Sequence, residues 1–261
     1  MPKYRIGVTE AGDAGLDLSW INKIDSIDGA ILITKCISQD FIDAVLNHKE
    51  KIIIHATITG YGGSILEPNV PTPQDEFKAI NSLIEQGFPK EKVVIRIDPI
   101  IPTDKDLRIS QNVFKKFIDS GFNRFRASII DMYPHVRNRF AQCGITLPYG
   151  INGFSPSKQQ INNTNKMLKS VKEYYELVCE ENNYNQELRI ESCAEPDLTE
   201  SIICGCISDY DLKLLNLDTI DIDITGFQRK NCLCYSGKTE LLNHKKRCKH
   251  GCLYCYWKND K

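Results

Sequence analysis

Near its carboxyl end the chain reads CKHGCLYCYW, which places Cys248, Cys252 and Cys255 in a Cys-x3-Cys-x2-Cys spacing. Thiolates are soft ligands, and three of them in one short loop can wrap an iron–sulfur cube while one iron keeps no protein ligand. A substrate or cofactor could bind at that open iron. A structural zinc ion is the alternative, but it needs four closed ligands. The candidates for its fourth ligand are His244, His250 and Cys234.

Most of the eleven cysteines fall late in the chain, between Cys193 and Cys255. In a reducing compartment such a group is more often metal-binding or catalytic than disulfide-bonded. The sequence leaves two arrangements open for the thiols outside the terminal triplet. They form a second metal site that includes Cys193, or they form one zinc site while Cys193 is a buried strand cysteine.

Charged and hydroxyl side chains also stand within or directly after apolar, β-branched runs. In α/β barrels the reacting groups lie at the carboxyl ends of the strands, so these positions are candidates for holding a cofactor or substrate. Strand alternation places Arg189 and Glu191 on the same face as Cys193. The alternative is that such groups form buried ion pairs that satisfy one another. The candidates are Glu10, Thr57, Thr59, Arg96, Asp98 and Glu191.

The elements that must position these groups alternate between short apolar runs and helical segments, which predicts an α/β fold of parallel strands covered by helices. A chain of 261 residues suits one (β/α) barrel, complete or partial. We therefore predict a single domain over 1–261, with the barrel in 1–225 and a cysteine-rich, iron–sulfur-binding segment in 226–261. The predicted strands are YRIGVT, GAILIT, KIIIHATIT, KVVIRID, FRASIID, ELRIESCA and DTIDIDIT.

Two helices and one long loop are also predicted between the strands. TPQDEFKAINSLIEQG starts with Thr72 as N-cap and ends at Gly87. A second helix precedes ELRIESCA, since apolar residues from Met167 to Val178 recur at helical spacing. The segment 133–156 is rich in turn formers and is predicted to be a long loop that serves as a lid.

Charge and hydropathy limit the partners and the cellular location that the sequence predicts. The formal net charge is −1, so no broad cationic face predicts nucleic acid or an anionic membrane as a partner. No apolar run approaches the roughly 20 residues that span a bilayer, and the expectation is a cytoplasmic protein without a membrane partner. The local basic run HKKRCKH, residues 244–250, either compensates a negative cluster or forms a phosphate-binding rim.

The terminal triplet, with an aromatic residue directly before its last cysteine as in LYC, resembles the cluster loop of radical S-adenosylmethionine enzymes. That resemblance implies a 4Fe-4S cluster held by Cys248, Cys252 and Cys255. It also implies S-adenosylmethionine bound to the open iron, and cleavage of that cofactor to a 5′-deoxyadenosyl radical. Tyr254 takes the place of the loop aromatic and is expected to contact the cofactor.

A longer resemblance covers most of the chain. The sequence is similar to an uncharacterised bacterial family of radical-SAM-like proteins, a domain of unknown function, which is distantly like spore photoproduct lyase. The shared motifs are TITGYGGSILEPNVP, VVIRIDPI, SIIDMY, ESCAEPDL, the CLC at 232–234 and CKHGCLYCY. The resemblance implies a radical-SAM-like barrel with the cluster loop permuted to the carboxyl terminus. It also implies an auxiliary iron–sulfur cluster on Cys193, Cys206, Cys232 and Cys234, with Cys204 as a competing ligand.

The leading hypothesis is therefore a radical S-adenosylmethionine enzyme with two clusters and an electron donor such as flavodoxin or ferredoxin. The substrate is a small molecule or nucleotide, with nucleic-acid modification or repair as an option. Catalytic roles are assigned to Arg96, Asp98 and Glu191, and cofactor binding to Glu10, Thr57, Thr59 and Tyr254. The rival hypotheses are a non-catalytic iron–sulfur or zinc protein that binds nucleic acid or a protein partner, and an electron-transfer protein.

Overall fold

A computed structural model of the chain describes residues 3–183, 185–219, 223–224, 232–243 and 248–257. In these ranges the strands are β1 (Ile6–Val8), β2 (Gly29–Thr34), β3 (Ile52–Thr57), β4 (Val93–Ile100), β5 (Arg124–Ile129), β6 (Arg189–Cys193), β7 (Ile202–Cys204) and β8 (Lys238–Glu240). The α-helices are α1 (Gln39–Leu46), α2 (Pro73–Glu85), α3 (Asp104–Ile118), α4 (Pro134–Gln142), α5 (Lys158–Asn182) and α6 (Asp209–Leu214). Short 3-10 helices span Leu18–Ser26, Lys49–Lys51 and Lys90–Lys92.

The described strands follow the order β7-β6-β5-β4-β3-β2-β1-β8. The pairs β8-β1, β1-β2, β2-β3, β4-β5 and β5-β6 are all parallel. Parallel strands that alternate with helices confirm the predicted α/β class and agree with a partial (β/α) barrel.

The chain divides into two compact units. The first comprises the described parts of residues 1–57, 74–94 and 203–249, and the second those of 58–73, 95–202 and 250–261. The first unit has a core of mainly aliphatic side chains from β1, β2, β3 and α6, among them Ile6, Ile31, Ile53 and Leu212. In the second, apolar residues of the loop after β3, of α4 and of the terminal loop form one cluster that includes Leu66, Val136, Phe140 and Tyr254.

Most of the predicted elements are found. The strand predictions up to ELRIESCA each overlap an observed strand, and α2 ends before Gly87, whose φ of +100° is the left-handed conformation that often follows a helix. The apolar stripe of α5 is buried from Met167 to Val178, as predicted. Part of the predicted strand DTIDIDIT lies outside the described residues.

Two expectations from the sequence are corrected. The segment 133–156 is not a continuous loop, because Pro134–Gln142 forms α4, a helix that starts with proline at its first position and buries Val136 and Phe140. Thr59 does not lie in a strand, because β3 ends at Thr57. Thr59 is nevertheless buried, in the turn that follows β3. Among the described residues, no helix is long and apolar enough to cross a membrane.

Candidate metal and cofactor site

The terminal loop of the second unit is folded into a turn that carries Cys252 and Cys255. The backbone N–H of Cys255 donates to the carbonyl of Cys252 at 3.2 Å, and the N–H of Leu253 donates to the Leu66 carbonyl at 3.0 Å. Both cysteines are half-buried, and Cys252 packs against the apolar cluster of this unit. Two of the three predicted ligands of the terminal motif are therefore held in one defined turn.

A buried carboxylate anchors this turn. Glu67 is 1% exposed, accepts a hydrogen bond from the Thr59 hydroxyl at 2.8 Å, and accepts a short one from the Tyr254 hydroxyl. The structure thus joins two predicted cofactor residues, Thr59 and Tyr254, through a residue that the sequence reasoning missed. The sequence signal for Glu67 is an acid placed between the apolar residues Leu66 and Pro68, since an acid that is buried there needs polar partners.

The same loop is fastened to α4 through its backbone. The Arg139 guanidinium donates to the carbonyl of Cys255 at 2.7 Å and to that of Trp257 at 3.0 Å. The ring Nε2 of His135 lies 2.8 Å from the carbonyl of Tyr256. Three consecutive carbonyls at 255–257 are thereby held, so the turn around Cys255 is fixed on both sides.

A second group of thiols lies in the first unit. The sulfur atoms of Cys232 and Cys234 are 2.6 Å apart, and those of Cys234 and Cys206 are 3.6 Å apart. The hydrogen bond with Cys206, together with burial, raises the pKa of the Cys234 thiol. Three of the four cysteines that the family resemblance implies as auxiliary ligands are thus close together.

An ion pair lies directly beside these thiols. Lys238 Nζ is 2.6 Å from Glu10 Oε2, and Glu10 lies within hydrogen-bonding reach of the Cys206 thiol. Burial and the neighbouring Cys206 raise the pKa of Glu10, and Lys238 only partly offsets them. Burial lowers the pKa of Lys238, but its electrostatic interactions with Cys206 and Glu10 outweigh burial and raise that pKa overall. Glu10, which the sequence predicts to bind a cofactor, therefore lies next to the thiols. Its partner Lys238 was not predicted from the sequence.

Gly205 lets the two cysteine segments of this group approach each other. A Cβ at this position would lie 2.2 Å from the carbonyl oxygen of Leu233, the residue between Cys232 and Cys234. Real Cβ atoms do not come so close to a backbone oxygen. The CGC and CLC motifs therefore depend on each other for their positions.

Replacing Gly205 by alanine is expected to destabilise the protein by about 1–3 kcal/mol, because the methyl group overpacks a backbone contact. It should also increase the alkylation rates of Cys206, Cys232 and Cys234, measured by mass spectrometry. Gly12→Ala is the matched control, since the nearest atom to its new Cβ is the flexible side-chain end of Leu242 at 3.1 Å. Equal thiol reactivity in both variants would contradict the dependence of the two motifs.

The predicted catalytic residues lie in ion pairs of the second unit. Arg96 Nε donates to Asp98 Oδ2 at 2.9 Å, and both side chains are about a quarter exposed. Glu191 is fully buried and contacts three guanidinium groups, at 3.0, 3.1 and 3.3 Å. Those groups belong to Arg124, Arg126 and Arg189. Glu191 thus forms the buried ion pairs that the sequence analysis gave as the alternative to a binding role. A catalytic role for Arg96, Asp98 and Glu191 stays a prediction.

The remaining candidates are distributed over both units. Thr57 is buried at the end of β3 in the first unit, and Cys193 ends β6 in the second. Cys248 belongs to the first unit, whereas Cys252 and Cys255 belong to the second. His250, considered as a zinc ligand, is buried with Nδ1 3.2 Å from the Asn69 carbonyl. Residues 244–247 of the basic run lie outside the described residues.

The donor chemistry fits a thiophilic metal, although the thiols need some rearrangement to bind one. Within the part of the chain that the structure describes, no three His, Cys, Asp or Glu side chains form a ready metal-binding group. Two thiolates on one tetrahedral zinc ion would be about 3.7 Å apart, given Zn–S bonds of about 2.3 Å. The 3.6 Å between Cys206 and Cys234 matches this spacing, whereas Cys232 must move away from Cys234.

Comparison with known proteins gives one match. A model for a family described as a domain of unknown function matches residues 19–257 of the chain. No curated protein and no solved structure shows significant similarity to this chain.

Proposed function

The chain belongs to this family, DUF1848, whose function is unknown, and we propose that it is a radical S-adenosylmethionine enzyme. In this proposal Cys248, Cys252 and Cys255 hold a 4Fe-4S cluster at the carboxyl end of a radical-SAM-like barrel. The observation that carries it is the anchored turn around Cys252 and Cys255, which is built into the apolar cluster of its unit and tied to buried Glu67. An incidental cysteine-rich tail would need no such support.

Once bound, the cluster would supply the electron that cleaves S-adenosylmethionine to methionine and a 5′-deoxyadenosyl radical. The protein's own contribution begins with orientation. The hydrogen bond from Tyr254 to Glu67 fixes the residue before Cys255, and Arg139 fixes the carbonyl of Cys255 itself. Apolar residues such as Leu66 and Val136 exclude water from one side of the turn. Reactive radicals require such exclusion.

In this proposal, a second cluster lies in the group of Cys206, Cys232 and Cys234, with Cys193 as fourth ligand. The negative charge of thiolates is supported there by the ammonium of Lys238, which is 7% exposed and is paired with Glu10. Arg96, Asp98 and Glu191 are proposed to bind substrate or cofactor groups, as are Thr57 and Thr59. A flavodoxin or ferredoxin is the proposed electron donor.

The test is anaerobic reconstitution with iron and sulfide, followed by dithionite and S-adenosylmethionine. We expect release of 5′-deoxyadenosine, detected by chromatography. Cys255→Ser should abolish that release and remove about one cluster's iron, because the turn loses a thiolate ligand. Cys143→Ser is the matched control, since Cys143 is exposed and lies outside both thiol groups. Fully loaded protein that releases no 5′-deoxyadenosine would exclude the proposed activity.

One observation favours a second candidate function, a non-catalytic zinc protein. The 3.6 Å between Cys206 and Cys234 fits two thiolates on a single tetrahedral ion. Elemental analysis of the protein as purified without oxygen separates the candidates. Iron with equimolar sulfide supports the enzyme, whereas zinc without iron or sulfide supports the zinc protein.

A further inference from the structure

A set of aromatic rings is exposed on the second unit, next to the terminal loop. Phe154 is 45% exposed, Tyr256 51% and Trp257 37%. Tyr133 and His135, at the start of α4, are partly exposed and lie in contact with this set. We call these five residues the ring surface. Large exposed aromatic groups are costly in water, so a cluster of them indicates a binding function.

The rings are held in fixed relative positions. Tyr256 and Trp257 pack with centroids 5.1 Å apart and planes tilted by 35°, and Tyr133 stacks on His135 at 5.7 Å and 22°. Phe154 meets Tyr133 edge-on at 5.1 Å. The contact of His135 with the Tyr256 carbonyl joins the two groups. A preorganised set of flat faces loses little entropy when a planar ligand stacks on it.

The charged side chains of the two segments that carry the rings are all basic. Residues 133–158 and 250–257 contain Arg137, Arg139 and Lys158 but no aspartate or glutamate, although the whole chain has a formal net charge of −1. Arg137 and Arg139 donate to main-chain carbonyls of Ile151, Cys255 and Trp257, contacts that leave their positive charge in place. The ligand of the ring surface should therefore be both planar and anionic.

We propose that the ring surface binds a single-stranded nucleic acid. Exposed aromatic faces stack unpaired bases with little regard to sequence, and nearby guanidinium groups attract the phosphates. A duplex keeps its bases stacked inside and offers none of them to the rings. Protein interfaces also use aromatic and arginine residues, but the two segments that carry the rings bear only basic charged side chains, which are better matched by a polyanion. The proposal concerns binding alone; if the proposed activity holds, the bound strand is its substrate.

The experiment uses the full-length purified protein without added cofactor, so that its outcome is independent of the proposed activity. Fluorescence anisotropy of a labelled 20-nucleotide oligothymidine is measured at two salt concentrations, with a labelled duplex as the comparison. We expect the single strand to bind more tightly than the duplex, and the affinity to fall as salt rises.

Alanine replacements at Tyr256 and Trp257 should each raise the Kd about fivefold or more, the equivalent of one lost base stack. Leu177→Ala is the matched control, because Leu177 is a 58% exposed apolar residue of α5. It is 19 residues along that helix from Lys158, or about 28 Å. Its Kd should equal that of the unaltered protein. Arg137→Gln should reduce the slope of log Kd against log salt by about one.

A second measurement does not depend on the stability of the alanine variants. The chain has two tryptophans, and Trp20 is fully buried, so a bound strand should quench only the fluorescence of Trp257. Trp257→Phe should keep the affinity and lose the quenching. The proposal is overturned if the oligonucleotide does not bind, if duplex and single strand bind equally, or if Tyr256→Ala and Trp257→Ala bind as tightly as Leu177→Ala. Binding to the unaltered protein that leaves the fluorescence of Trp257 unquenched would assign the strand to another surface and would likewise overturn it.

Discussion

Replacement of Glu191 by alanine is expected to lower the free energy of unfolding by about 3–5 kcal/mol, the range measured when one partner of a buried ion pair is removed. The reason is the surroundings of this carboxylate: Arg124 and Arg126 are each 4% exposed and lie 3.0 and 3.1 Å from it. Without Glu191, these positive charges would remain buried without their shared carboxylate. Urea denaturation of the purified variant measures the loss.

The control for this prediction is Asp98→Ala. Asp98 also pairs with an arginine, Arg96 of the same strand β4, but it is about a quarter exposed, so water screens the pair and removal should cost only about 1 kcal/mol or less. If both variants lose the same small amount of stability, the cluster around Glu191 is not structural. In that case the assignment of Glu191 to substrate or cofactor binding gains support.

The Glu67→Ala variant is expected to release the turn that carries Cys252 and Cys255. The variant loses the acceptor of two buried hydroxyl donors, Thr59 and Tyr254. A buried donor without its acceptor costs about 1–3 kcal/mol, and two are affected. Alkylation of Cys252 and Cys255 in the metal-free protein should become faster, and the iron bound after reconstitution should decrease.

Two further variants distinguish the anchor from general instability. Tyr254→Phe keeps the ring in the apolar cluster and removes only the hydroxyl, so it should reproduce the faster alkylation with a smaller loss of stability. Glu85→Ala, at the end of α2, is an acid-to-alanine control in the unit that does not contain this turn. If alkylation of Cys252 and Cys255 is unchanged in Glu67→Ala, Glu67 does not hold the turn.

The fold class was predictable because its signals are local. The run GAILIT is apolar up to its final threonine, as expected of a strand covered on both faces, and the helix stripe from Met167 to Val178 repeats with the helical period. The short strands β7 and β8 were not predicted. Each has three residues, too few for a periodic pattern, and pairing with a neighbour determines that they are strands.

The candidate site was only partly predictable, because sequence identifies residue types more readily than partners. Cysteine spacing indicated the terminal motif and the family resemblance implied the second group of thiols, but Glu67 and Arg139 act through hydrogen bonds to residues more than a hundred positions away. Arg124 and Arg126 alternate along β5 and align in register with Arg189 and Glu191 on β6. The alternation is visible in the sequence. The register that makes these residues one cluster is not.

The terminal loop docks on segments of the chain that are synthesised before it. Residues 250–257 are held by residues 59–69 and by α4, all of which precede them in the chain. Synthesis proceeds from the amino end, and earlier segments can fold while later ones are still being made. The receiving surface for Cys252 and Cys255 can therefore form before either thiol has left the ribosome. In the proposed enzyme, a metal inserted at this turn would then meet a scaffold that has already folded.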